Sequence, residues 1–139
     1  MLPPTKLFGT RIFKALLSEG SIIHAKSIET SIIGIRTRIA EDAVLKNVIV
    51  FGNDRYETLD ELLDESMVNM GIGKNCFIEN AILDKDVRIS DDVQIIGDDS
   101  LEDMETPEYI IKDGIIVVRK GATIPKGTKI GLQRTEATA

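Results

Sequence analysis

Residues 33–52 read IGIRTRIAEDAVLKNVIVFG. Ile33, Ile39, Leu45 and Phe51 fall six residues apart. An α-helix returns a side chain to one face every ~3.6 residues and a strand every ~2.0, so a period of six belongs to neither element alone. The same period runs along most of the chain. Ile72 and Ile78 lead through a five-residue step to Leu83, then to Ile89 and Ile95. Val118, Ile124 and Ile130 form another run, and Leu16, Ile22 and Ile28 an earlier one that reaches Ile33 by a second five-residue step.

With the large apolar residue counted as first in each unit, the fifth place holds Thr37, Ala43, Ile49, Cys76, Val87, Val93, Ala122 and Thr128. These are mostly small or β-branched. The fourth place often holds Asp42, Asn75, Asp86, Asp92, Gly121 or Gly127, the residue types that enter the left-handed backbone region at least cost. Each unit therefore reads as a short strand and a corner, with the first and fifth residues pointing inward. Three such sides make a coil of about eighteen residues, and stacked coils make a solenoid. Burying each large aliphatic contributes roughly 1.5–3 kcal/mol, but one coil cannot cover its own ends, so several must stack. The expected fold is an all-β solenoid of hexapeptide repeats over residues 1–131, followed by a tail at 132–139.

A longer repeat supports this. Residues 28–45 align without gaps on residues 78–95, and both segments carry the five-residue step, with Arg38 falling on Arg88. Two stretches interrupt the pattern. Residues 54–69 place Leu59, Leu62, Leu63 and Met67 at helical spacing behind Thr58 and Glu61, a capping-box signature, which predicts a short helix or loop near 54–70. Residues 97–109 are acidic with no apolar period, which predicts an acidic loop near 97–113 without the ligand spacing of a calcium loop.

Composition narrows the function. The 139 residues carry a net charge of −6 and no Trp; a general nucleic-acid role needs a basic face instead. No apolar run approaches the ~20 residues of a membrane span. Cys76 is the only cysteine, so an internal disulfide is excluded and a reducing cytosol fits. The start MLPPTKLFG lacks the features of a signal peptide and reads as the middle of a longer chain, an excised fragment.

Few residues offer chemistry. His24, the sole histidine, has no evident Ser, Cys or carboxylate partner in the sequence and reads as a surface or corner residue. A prism-type zinc site needs three histidines, so no metal site is expected. Cys76 occupies an inward place and reads as packing rather than as an exposed catalytic thiol. GIGKN at 71–75 lacks the spacing of a phosphate loop. Arg36, Arg38, Lys85, Arg88, Arg119 and Lys120 take outward or corner places in an otherwise acidic chain. Gathered, they would bind a phosphate or carboxylate; scattered, they would only solubilise.

LPPTK near the start, SIIGIRTRI, GIGKNCFIENAILDKDVRI and DGIIVVRKGATIPKGT, in this order from Leu2 to Ile130, resemble the C-terminal part of the ADP-glucose pyrophosphorylases (glucose-1-phosphate adenylyltransferases), with a plant or cyanobacterial flavour. The resemblance implies a left-handed parallel β-helix, against the usual right-handed crossover rule. It also implies a parent enzyme that makes ADP-glucose and pyrophosphate from ATP and glucose 1-phosphate, with Mg²⁺, for glycogen or starch synthesis. The catalytic domain of that family precedes this segment, so no catalytic residue is expected here and the piece should be inactive alone. What remains is the family's C-terminal work: contacts with its own catalytic domain and with other subunits of a tetramer, and part of a site for anionic effectors such as phosphate, phosphoglycerate or sugar phosphates.

The family's activator lysines match Lys85 in ILDK and Lys120 in GIIVVRK. Arg36 and Arg38 lie in a stretch where the family's basic residues vary. Further anion-binding residues of the family lie upstream, and the tail at 132–139 departs from the family ending. The cytoplasm, or a plastid for a plant-type source, is the implied compartment. Two other readings stay open: a free-standing hexapeptide acyltransferase with His24 as its base, and a purely structural assembly domain.

Overall fold

The computed structural model describes residues 2–133; most of the expected tail, from residue 134 on, lies outside the described residues. Two parallel arrays dominate. In the first, the two-residue strands Lys6–Leu7, Ile22–Ile23, Arg38–Ile39, Gly71–Ile72, Arg88–Ile89 and Thr123–Ile124 lie side by side in sequence order. In the second, the seven-residue strands Arg11–Leu17, Ser27–Ile33, Val44–Val50 and Phe77–Leu83 stack in the same order, and Gln94–Ile96 and Lys129–Gly131 continue one half of them. Ile28 lies beside Leu45, Leu45 beside Ile78 and Ile78 beside Ile95. This in-register column is what the fifty-residue repeat encodes: two turns of the coil.

The chain bends at three stacked columns of residues with positive φ. Arg36, Asp86 and Gly121 form one; Asp42, Asn75, Asp92 and Gly127 a second; Lys14, Thr30, Asn47 and Asn80 a third. All six fourth-place residues singled out in the sequence are among them, at φ between 55° and 77°. Small polar residues inside the column keep their hydrogen bonds. The buried Thr37 donates from Oγ1 to the Gly34 carbonyl (2.8 Å), and its backbone N–H donates to Ser21 Oγ (3.0 Å).

The core is the column of inward aliphatics: Ile23, Ile28, Ile33, Ile39, Leu45, Ile78, Leu83, Ile89, Ile95 and Ile124 are all essentially inaccessible to water. Four sequence assignments need correction. Phe51, Leu16 and Ile49 are exposed, and Ile22 is only partly covered. In the Leu45 coil the inward residues are Val48 and Val50, and Ile23 replaces Ile22. The cause is the seven-residue strand. Its left-handed residue (Thr30, Asn47 or Asn80) comes at the third place rather than the fourth, so this side always spans five residues. Leu45 to Val50 is such a step, as are Ile28 to Ile33 and Ile78 to Leu83. A five-residue side moves every later inward position by one.

Between Asn53 and Gly71 the chain leaves the stack and forms the helix Leu59–Leu63. Thr58 and Glu61 make both hydrogen bonds of a capping box, and no residue of the helix is buried. The acidic stretch is not the loop expected at 97–113. Met104–Glu105 and Tyr109–Lys112 form antiparallel strands that extend the second array through Ile115–Val118. Asp113 and Gly114, both at positive φ, make the two-residue turn that joins the last two strands. This is the Asp-Gly hairpin signal, obscured in the sequence by the surrounding charge, and Ile111 is buried by it. No helix among the described residues is long and apolar enough to cross a membrane.

Candidate functional site at a basic corner

One corner column gathers charge. The backbone N–H of Arg36 donates to Glu19 O, that of Asn53 to Ile35 O, that of Asp86 to Gly52 O and that of Gly121 to Lys85 O (2.9–3.2 Å). Lys85 and Lys120, thirty-five residues apart, each precede the corner residue of their coil, so they stand on adjacent coils at equivalent places. Arg36, two coils away from Lys85, is fixed by a reciprocal pair: its guanidinium donates to Asn53 O (3.2 Å), and the buried Asn53 donates from Nδ2 to Arg36 O (2.8 Å). The guanidinium also lies 5.7 Å from the centre of the Tyr56 ring.

Asp54 sits among them. Its Oδ1 is 3.0 Å from Lys85 Nζ, and its backbone N–H donates to Asp86 Oδ1 (3.0 Å). The hydrogen bond from Lys85, with the charges of Lys120 and Arg36 adding to it, holds the Asp54 carboxyl below the usual carboxylate range. Of the basic residues singled out for an anion site, Lys85 contacts this carboxylate, and Lys120 and Arg36 act on it through their charge at longer range. Asp54 itself was missed, because in sequence it is simply the first charge of the acidic insertion.

Arg38 does not join this group. It stands on the short-stranded array, where it lines a cleft of about 240 Å³ with Arg36, Asn53, Tyr56, Glu57 and Met70, and a second cleft of about 540 Å³ with His24, Glu41, Lys74 and Asp91. His24 differs from its sequence reading, which saw no partner. Its Nδ1 lies 3.8 Å from Glu41 Oε1, and its ring stacks on Phe8 at 4.2 Å.

Arg88, counted among the outward bases, turns instead under the insertion. It donates to Glu57 Oε2 (3.0 Å), Val68 O (2.8 Å) and Glu61 Oε2 (3.1 Å), with Glu57 almost fully covered. Arg55 forks onto both oxygens of Glu61 (2.7 and 3.0 Å), and Met70 N–H donates to Glu57 Oε1 (2.9 Å). Cys76 is buried as expected. Its Sγ donates to Ser90 O at 3.1 Å, and burial pushes the thiol up to about 11, which leaves no thiolate for nucleophilic work near neutral pH.

The family model described as the GLGC left-handed parallel beta-helix domain matches residues 1–129. The chain belongs to this family. The GLGC β-helix domain is also similar to the small subunit of glucose-1-phosphate adenylyltransferase, chloroplastic/amyloplastic, of Triticum aestivum. The two are 38% identical over 134 residues, covering 93% of this chain and 28% of the wheat protein. The resemblance to the C-terminal part of the ADP-glucose pyrophosphorylases thus holds over nearly the whole chain, and the chain spans little more than a quarter of the relative's length. Among the described residues of this GLGC domain, no three His, Cys, Asp or Glu side chains gather as a metal ion would require. The described residues do not fit the Mg²⁺ that the resemblance implies, and no step here passes through one.

Proposed function

We propose that this β-helix is the regulatory and assembly domain of a glucose-1-phosphate adenylyltransferase, closed as a three-sided left-handed column. The parent enzyme joins ATP and glucose 1-phosphate into ADP-glucose with release of pyrophosphate, by in-line attack of the sugar phosphate on the α-phosphorus. The groups that do this belong to a preceding domain, and the present segment turns over nothing alone. Its task is to bias a tetramer between states of different activity when an anionic effector binds.

The observation that carries this reading is the placement of Lys85 and Lys120 at equivalent places on adjacent coils of one corner column, with Lys85 bound to the carboxylate of Asp54 and the charges of Lys120 and Arg36 acting on it. A phosphate or phosphoglycerate oxygen has the same charge and hydrogen-bonding character as that carboxylate. Arg38, facing the neighbouring clefts, has the weaker claim. The exposed apolar residues Leu7, Phe8, Ile12, Phe13 and Leu16 cluster on the first coil. They suit contact with the domain's own catalytic part, and the cytoplasm or a plastid is the fitting compartment.

The test is the paired substitution Lys85→Ala with Lys120→Ala in the full-length enzyme. Activation by phosphoglycerate and inhibition by phosphate should both require several-fold higher ligand, while turnover without effector persists. An activation curve superimposable on that of the unmodified enzyme would remove the site assignment.

A further inference from the structure

We propose that Asp54 is a built-in competitor for the anion site: its carboxylate holds the place of the effector on Lys85, sets a threshold that favours dianions, and is expelled when an effector binds. This rests on the anion-site reading above. The Asp54–Lys85 pair is made for exchange. Both side chains are about half exposed, and such pairs are worth little because water and salt compete for each partner. An incoming monoanion would replace one unit of negative charge by another and still bear the cost of losing its own freedom. A phosphate dianion, or a ligand with both a phosphate and a carboxylate, brings more charge than it displaces. It can also engage Lys120 and Arg36 together with Lys85, which one carboxylate on a short side chain does not do.

Asp54 is the first residue of the insertion after the corner at Gly52 and Asn53, and its neighbour Arg55 begins a continuous polar chain. Arg55 holds Glu61, Glu61 holds Arg88, and Arg88 holds Glu57. Asp54 is thus one residue away from the polar chain that anchors the segment carrying the exposed Leu59, Leu62 and Leu63.

The full-length protein would be titrated calorimetrically with inorganic phosphate, in unmodified form and as Asp54→Asn, Asp60→Asn and Lys85→Ala. Asp60 is an exposed helix residue of the same insertion, so Asp60→Asn controls for the loss of one negative charge. Asp54→Asn should tighten phosphate binding about two- to fivefold, the range expected for removing an exposed ion pair, and should admit acetate as a competitor. Asp60→Asn should change neither, and Lys85→Ala should weaken phosphate binding. If Lys85→Ala weakens binding while Asp54→Asn leaves it unchanged or matches Asp60→Asn, the competitor role is overturned and the anion site stands. If Lys85→Ala binds phosphate as well as the unmodified protein, both readings fall.

Discussion

Asn47 stands directly below Asn80 at one corner of the column, and its Nδ2 donates to Asn80 Oδ1 at 2.8 Å. Both residues are left-handed, at φ 54° and 53°, and Asn80 passes the ladder on by donating to Gly97 O at 2.9 Å. Side-chain chemistry and backbone conformation are thus satisfied by one residue type. Asn47→Ala should lose about 1–2 kcal/mol from the backbone penalty and a further ~0.5–1.5 kcal/mol from the hydrogen bond. Asn47→Gly should lose only the latter. Urea unfolding of the two variants separates the terms, and equal losses would contradict the backbone account.

The five-residue side makes a sharp contrast between neighbours in the same strand region. Leu45 is fully buried beside Ile28 and Ile78, whereas Phe51 is about half exposed. Leu45→Ala should cost about 2–5 kcal/mol, and Phe51→Ala about 0.5 kcal/mol or less. A large loss at Phe51 in thermal or chemical unfolding would mean that the hexad runs unbroken through Val50.

Acid should loosen the insertion before the column. The Arg55 fork, helped by Thr58 and Arg88, lowers the Glu61 carboxyl from 4.5 to about 2. A depressed folded pKa gives a contribution that is complete above the unfolded value and fades as pH falls. The window is therefore about 4.5 down to about 2. Protection of the Leu62 amide, which donates to Thr58 O at 3.0 Å, should fall across that window in hydrogen-exchange measurements. Glu61→Gln should abolish the acid-dependent part, and a pH-independent profile in the unmodified protein would count against the Arg55–Glu61–Arg88 link.

Cys76 offers a probe of the column itself. Its thiol is raised by burial from 9.0 to about 11, so alkylation at pH 8 should be slow in the folded protein and rise to the rate of a free thiol only on unfolding. Rapid labelling under native conditions would show that the second corner opens.

Much of the architecture could be read from residues alone because it is a local property. A residue at a corner must take positive φ and a residue on a side must face in or out, and both constraints act within one six-residue unit. Asp42, Asn75, Asp86, Asp92, Gly121 and Gly127 were legible for that reason, as was the Thr58–Glu61 cap. The errors at Leu16, Ile22, Ile49 and Phe51 arose where one coil side shortened, since a single missing residue changes the face without changing composition. The hairpin at 104–118 escaped because its turn, Asp113–Gly114, lies at the edge of an acidic run that reads as loop.

The sequence by itself determined the stacked column of aliphatics, the left-handed corners and the family to which the chain belongs. It also marked Lys85 and Lys120 through the motifs that hold them. Only the tertiary structure decided which charges meet. Lys85, Lys120 and Arg36 share one corner column, with Asp54 bound to Lys85, because the coils between them add up to whole turns despite an insertion and a hairpin, whereas Arg88, the repeat-mate of Arg38, is drawn under the insertion by Glu57 and Glu61. A backbone period is set by neighbours along the chain, but an electrostatic cluster is set by the sum of every residue between its members.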